Sequence, residues 1–309
     1  MCKKIYNEIQ NQIIEMLENS LKLDYKKAWF SVGNLAQNPV SDTFYTGFNQ
    51  LYLSFTSNKK NYTLNKWLTF KQSTELKALI KKGEKATPVV YYNKIYKNKN
   101  GETISQQQVQ NLINETGKTL SQLGISCNGF LKFYYVFNVA QISGLPESFY
   151  QPDNVVLSEI EKIENAELLL SQSKAIIEHK LIDEAYYIPA KDIIVLPLTS
   201  QFLTPQLYYS TAFHELSHWT GATHRLNRTF GNKFGNEQYA FEELVAELSA
   251  ALVCGSLHIT KDFTNNAAYL QSWIKALKKD INIFFKAAAL AQKSADYILS
   301  FNTLNKQAA

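Results

Sequence analysis

His214-Glu215-Leu216-Ser217-His218 constrains this chain more than any other stretch. Histidines four apart on a helix share a face. The H-E-x-x-H spacing therefore allows two imidazoles to hold one tetrahedral metal, normally Zn²⁺, with another divalent metal as the variant. The glutamate between them then sits beside the open coordination position, as general base for hydrolysis of a carbonyl compound. With 5 His and 19 Glu in 309 residues, about 0.005 such matches are expected by chance. The surroundings read as helix. Thr204-Pro205 is an N-cap followed by proline at the first helical position, and Leu207, Tyr208, Ala212, Phe213, Leu216 and Trp219 give apolar spacing up to Gly221.

Two residues compete to be the third protein ligand. His224, with Gly221, completes H-E-x-x-H-x-x-G-x-x-H, the metzincin pattern, which also requires a downstream methionine turn. The methionines here are Met1 and Met16, so that turn is missing. Glu243 lies on a second predicted helix, from a cap at Asn236 to Gly255, beside the apolar stripe Leu244, Val245, Leu248, Ala251 and Leu252. Glu247 follows four residues later. Two carboxylates at that spacing repel, and burying both without a cation costs far more. A metal resolves the conflict if Glu243 binds it and Glu247 accepts a hydrogen bond from a ligand histidine. This is the two-helix plan of the gluzincins, and Glu243 is favoured over His224. Tyr187, Tyr208 and Tyr209 are candidates for stabilising an oxyanion. The strand predicted at 192–197 is a cleft wall that an extended peptide of unknown identity would join by strand addition.

A length of 309 residues and 45% apolar content suit two cores. No apolar run approaches the span of a membrane helix and the N-terminus lacks a signal-peptide core, so a soluble, cytoplasmic protein without membrane contact is expected. Cys2, Cys127 and Cys254 are few, odd in number and widely spaced, which suits free thiols in a reducing compartment.

Charge is divided unevenly. Residues 1–150 carry 18 Lys against 10 acids, whereas 151–309 carry 14 basic residues against 17 acids. Most of the excess lies between Lys59 and Lys99, interleaved with Tyr62, Trp67, Phe70, Tyr91, Tyr92 and Tyr96. Lysines attract phosphates and exposed aromatic faces stack on unpaired bases, so single-stranded nucleic acid is the partner suggested. A lysine-rich solvated surface over an aromatic core has the same composition. The absence of arginine before Arg225 argues against bidentate reading of duplex base edges.

The predicted elements are a helix over 3–20, a polar and turn-rich then aromatic stretch over 40–58, a helix over 67–80, and strands at 88–96 and 130–139. An irregular insertion at 97–128 and a linker at 144–153 follow from their polar and Pro/Gly-rich composition. Beyond the linker come a helix over 157–180, the strand, the two metal helices, and closing helices around 266–285 and 286–300.

These segments together resemble the ArdC-type antirestriction proteins of conjugative plasmids and related mobile elements. The matching residues are Tyr45-Thr46-Gly47-Phe48-Asn49, Trp67-Leu68-Thr69-Phe70-Lys71-Gln72, Lys82-Gly83-Glu84-Lys85, Tyr135-Val136-Phe137-Asn138, the His214–Gly221 stretch, Arg225-Leu226-Asn227-Arg228 and the Glu243–Glu247 helix. The resemblance implies an α+β protein of two domains. Residues 1–147 would form an α+β single-stranded-DNA-binding domain, and 153–309 a mainly helical zincin-like metallopeptidase domain. It also implies protection of incoming plasmid DNA from restriction, and it favours Glu243. The departures are the 97–128 insertion and the arginine-poor binding half. The expected sites are Glu215 as catalytic base, His214, His218 and Glu243 as zinc ligands, Glu247 behind them and His224 as the alternative ligand. The expected DNA contacts are Lys59, Lys60, Lys66, Trp67, Lys71, Lys81, Lys82, Lys85, Tyr45 and Asn49. Two alternatives stay open: a non-catalytic DNA-coating protein with a structural metal, and a regulatory peptidase that cleaves a repressor.

Overall fold

The protein is described by a computed structural model covering residues 2–20, 35–152, 159–229, 237–259 and 267–302. Helix α1 (Cys2–Ser20) opens the chain, followed by the ribbon β1 (Gln37–Asn38) and β2 (Thr43–Phe44) and by α2 (Gly47–Lys59). Next come β3 (Trp67–Thr69), α3 (Phe70–Glu75), β4 (Leu79–Ile80), β5 (Thr87–Lys97), β6 (Thr103–Ile104), α4 (Gln106–Thr116), α5 (Leu120–Leu123), β7 (Ser126–Asn138) and β8 (Ile142–Ser143). β3, β7, β5 and β6 form one antiparallel sheet in that order, and β4 pairs with β8. The second half holds α6 (Glu159–Gln172), β9 (Ile176–Lys180), β10 (Tyr186–Ile188), β11 (Ile193–Pro197), α7 (Pro205–Thr220), α8 (Glu237–Ser256), α9 (Ala267–Lys279) and α10 (Asn282–Leu299). The architecture is α+β in two domains, as expected.

Five expected elements differ from the observed ones. The turn-rich stretch before residue 58 contains α2, whose residues 50–57 are all buried. A helix enclosed on every side shows no polar face, and buried polar side chains are accommodated by bonds such as Gln50 Nε2 to Ser54 Oγ at 3.2 Å, Thr56 Oγ1 to the Tyr52 carbonyl at 2.8 Å and Asn65 Nδ2 to Ser54 Oγ at 2.9 Å. The helix expected over 67–80 is a strand followed by one short helix, switched at Thr69, whose hydroxyl accepts from Gln72 N in a capping box. The 97–128 insertion is ordered: Ser105 with Gln108 and Thr119 with Gln122 form capping boxes, and Gly117 and Gly124 end their helices at φ 65°. Tyr96, Val109 and Ile125 give this lobe its own small core. The helix over 157–180 stops at Gln172 and becomes β9, with Lys174 turning the chain at φ 59°. The closing helices divide at 280–281, not at 285.

Within the stretch read as a linker, Phe149 and Tyr150 pack against the cluster that includes Leu68, Val139 and Ile142, and Asp153 lies outside the described residues. More consequentially, α1 and α2 belong to the core of the second half. Ile9, Ile13, Leu17, Phe48 and Tyr52 are buried in one cluster with residues of α6 through α10. Phe48 meets Phe285 at 4.5 Å between ring centres, and Gly47 N donates to Gln292 Oε1 at 2.7 Å. No helix among the described residues is long and apolar enough to cross a membrane. Cys127 and Cys254 are free thiols.

Candidate metal centre and nucleic-acid interface

Helix α7 begins at Thr204, whose hydroxyl accepts from Leu207 N at 3.3 Å, with Pro205 in the first turn. It presents His214, Glu215 and His218 to α8, which presents Glu242, Glu243 and Glu247. The Asn236 cap expected for α8 lies outside the described residues, and Gly255 falls one residue before the helix end. The two Nε2 atoms of His214 and His218 are 3.2 Å apart. Glu243 faces both, Oε2 at 3.4 Å from His214 Nε2 and Oε1 at 3.5 Å from His218 Nε2. Bonds of about 2.0–2.1 Å to a tetrahedral ion put ligand atoms about 3.3 Å apart. The imidazole–imidazole separation matches such an edge, each imidazole has a Glu243 oxygen at a similar distance, and one donor atom from each of the three residues lies within 4.8 Å of the others, so the donor set fits a divalent cation.

A carboxylate lies behind each imidazole. His214 Nδ1 lies 3.2 Å from Glu247 Oε1, and His218 Nδ1 3.3 Å from Glu242 Oε1. Such outer partners fix tautomer and ring orientation. Glu242 is clamped in turn by Arg228. Nε of Arg228 donates to both carboxylate oxygens at 3.2 and 3.0 Å, Nη2 to Oε1 at 2.7 Å and to the Ser217 carbonyl at 2.6 Å, and Nη1 to Thr220 Oγ1 at 2.7 Å. Glu242 and Arg228 were assigned no role from sequence. The available signal was that the chain's two arginines both follow the H-E-x-x-H motif closely.

Burial pushes both imidazoles down, yet the carboxylates overcome it. Glu247 and Glu243 hold His214 up to about 9, and Glu242 and Glu243 hold His218 up to about 10. Burial raises the Glu243 carboxyl, but the two histidines outweigh it and hold it well below the carboxylate range. The same negative field favours a cation between these groups. Buried Glu215 is pushed up by desolvation, which the two histidines partly offset.

His224 sits elsewhere. Its side chain is 62% exposed, with Nε2 3.4 Å from Asp192 Oδ2 and 2.6 Å from Arg225 Nη1. The three tyrosine hydroxyls are all engaged: Tyr208 with His179 Nε2 at 2.9 Å, Tyr209 donating to Glu167 at 3.0 Å, and Tyr187 to Asp192 at 2.7 Å. The cleft-wall strand differs from expectation. β11 is central, parallel to β9 and antiparallel to β10, so the edges belong to β10 and β9 and not to 192–197 over the paired residues.

The expected DNA contacts divide into surface and interior. Trp67 is 0% exposed, with its indole N–H donating to Asn65 Oδ1 at 2.6 Å, and Lys66 is buried, with Nζ donating to the Gln151 carbonyl at 2.9 Å. Both readings are corrected: β3, the terminal strand of its sheet, is covered by Leu53 of α2 and by Ala36, which encloses Trp67, and Lys66 is turned onto the Gln151 carbonyl. Asn49 is also structural: its amide brackets Val90, donating to the carbonyl and accepting from the N–H, both at 2.8 Å. The Tyr45 hydroxyl donates to the Trp67 carbonyl at 3.2 Å, and burial pushes it up to about 12. Lys59 pairs with Glu15 at 2.6 Å, Lys60 lies over Tyr62, Lys71 is 3.7 Å from Glu75, and Lys81 donates to the Ala140 carbonyl at 2.8 Å. These four, Lys82 and Lys85 are exposed.

Residues 3–137 match the N-terminal domain of anti-restriction factor ArdC, and residues 164–290 match a zincin-like metallopeptidase family. A DNA primase TraC of Escherichia coli is 35% identical over 97% of the chain, and a second is 33% identical over 97%. The chain spans only 20% and 27% of the length of these two primases. The protein y4eC of Sinorhizobium fredii is 32% identical, over 95% of this chain and 91% of its own length. The metal-free crystal structure of antirestriction protein ArdC from plasmid R388 aligns with a TM-score of 0.73 and 32% identity, over 96% of this chain and 97% of that one. The Mn(II)-bound structure of the same protein gives 0.71 and 31%, over 96% and 98%. Near-complete two-way coverage, with both domains matched in order, places the chain: it belongs to the ArdC antirestriction family.

Proposed function

We propose that this chain is an antirestriction protein that binds single-stranded DNA and hydrolyses peptide bonds at a zinc site formed by His214, His218 and Glu243. The observation that carries the reading is the convergence of His214, His218 and Glu243, with one donor atom of each within 4.8 Å of the others, and with Glu215 buried on the same helix. A divalent metal supplies Lewis acidity to a carbonyl and lowers the pKa of water. Zinc suits two imidazoles and a carboxylate, and the Mn(II) in the R388 relative supports a divalent ion in general. Glu215 takes the proton from the attacking water and returns it to the leaving amine. His214 and His218 are oriented for ligation by Glu247 and Glu242. Peptide would enter along the β10 edge.

Glu215→Gln tests the chemistry, because it keeps the ligands and removes the base. Zinc content should stay at the parental level, and cleavage of a degenerate peptide library should fall to background. Parental antirestriction activity in a conjugation assay with that variant would show that protection comes from covering the strand. Parental cleavage would remove Glu215 from the mechanism.

A further inference from the structure

We infer that the outer face of the β5–β7 hairpin, centred on Tyr91 and Tyr134, is the base-stacking platform for single-stranded DNA; this rests on the DNA-binding reading given above. Register places Tyr91 opposite Lys132 and Val89 opposite Tyr134, so Tyr91, Lys132 and Tyr134 share one face. The tyrosine rings are diagonal neighbours, with centres 6.2 Å apart at 78°. They are 48% and 49% exposed, unusual for paired aromatics that could add to a core. Farther out on the same face, Ile95, Lys97 and Asn128 are exposed as well.

The fold explains why this patch is uncovered. Toward β3 the same face is closed, with Val89 and Val136 buried against Trp67 and Leu53. The opposite face is used too: Val90 and Phe133 pack on the main core, Phe133 meeting Tyr6 at 5.3 Å. The tyrosines begin where that packing stops. Charge selects the occupant. On this face β5 and β7 carry Lys97 and Lys132, and neither strand contains Asp or Glu, which suits a polyanion whose unpaired bases offer ring faces. Duplex DNA keeps its base faces stacked within the helix. An extended peptide joining the sheet at β5 would meet Asn49, which already brackets Val90 on that edge.

The test uses the full chain and fluorescein-labelled oligothymidylate, read by anisotropy across a salt series. Tyr91→Ala with Tyr134→Ala should weaken binding by about 5- to 150-fold per lost stack at unchanged melting temperature and salt slope. Tyr91→Phe with Tyr134→Phe should bind as the parent, because the ring face is kept. Lys132→Gln should reduce the log–log salt slope by about 0.7. An oligonucleotide carrying 2-aminopurine should be quenched on binding the parent. Parental affinity in the alanine pair, or no quenching by the parent, overturns the platform while leaving DNA binding intact. No binding of oligothymidylate by the parent overturns the DNA reading itself. Equal weakening for duplex and single strands overturns stacking as the mode of recognition.

Discussion

Arg228→Met is the perturbation that most sharply separates what the metal-site surroundings do for folding from what they do for ligation. Arg228 and Glu242 are only 4% and 6% exposed at their side chains. Removing the guanidinium deletes its donors to both Glu242 oxygens, to Thr220 and to the Ser217 carbonyl. Glu242 is left as a buried carboxylate with His218 as its remaining partner here. Breaking one side of a buried pair costs about 3–5 kcal/mol, which for a chain of this size lowers the melting temperature by roughly 6–20 °C. Zinc affinity should also fall about 10- to 100-fold, as for other partners behind ligand histidines. The double variant Arg228→Met with Glu242→Leu resolves the two effects. Replacing both charges with apolar groups of similar volume restores stability to near the parental level, but it cannot restore the acceptor on His218 Nδ1. Stability measured by thermal unfolding of the metal-free chain should recover while zinc affinity, measured by chelator competition, stays 10- to 100-fold down. Parental zinc affinity in a stable double variant would refute the positioning role of Glu242.

Trp67→Ala should destabilise the chain by about 3–5 kcal/mol through a core cavity, and loss of DNA binding without loss of melting temperature would contradict its buried placement. Phe48→Ala should lower the unfolding midpoint of the whole chain in one transition, because Phe48 joins α2 to Phe284 and Phe285 of α10; two separate transitions in the parent would show that the shared core does not couple the halves. The Arg225 guanidinium lowers the Asp192 carboxyl despite some burial. The stability that Asp192 contributes is therefore present above the unfolded carboxylate value of about 3.9 and is lost as pH falls through the lower folded value. The gap between parent and Asp192→Asn should be constant near neutrality and close only below about pH 4; a gap that already closes near neutrality would contradict the assignment to Asp192.

The local metal-site pattern was legible because each signal lies within one helix: the i, i+4 histidines, the Glu243/Glu247 spacing and the Thr204-Pro205 start. The clamp on His218 was not, because it joins Arg228 in a loop to Glu242 on another helix, and no spacing rule connects them. α2 was missed for the reason that makes it central. Enclosed between the sheet and α10, it has no solvent face to print a period of 3.6 on its sequence. The aromatic count drew attention to residues 59–99, yet composition does not say which ring is outside. Trp67 went inside because β3 is covered by Leu53 and Ala36. Tyr91 and Tyr134 stayed outside because the hairpin outruns that cover, which becomes visible only once the β5–β7 register is known.

The most direct test of the metal centre is zinc binding by the parent, Glu243→Ala and His224→Ala, measured as stoichiometry and affinity on metal-stripped protein. One zinc per chain is expected in the parent, a sharp loss in Glu243→Ala, and parental behaviour in His224→Ala, whose imidazole points to Asp192 and Arg225. Retention of zinc by the Glu243 variant together with its loss in the His224 variant would contradict the account and restore the three-histidine alternative.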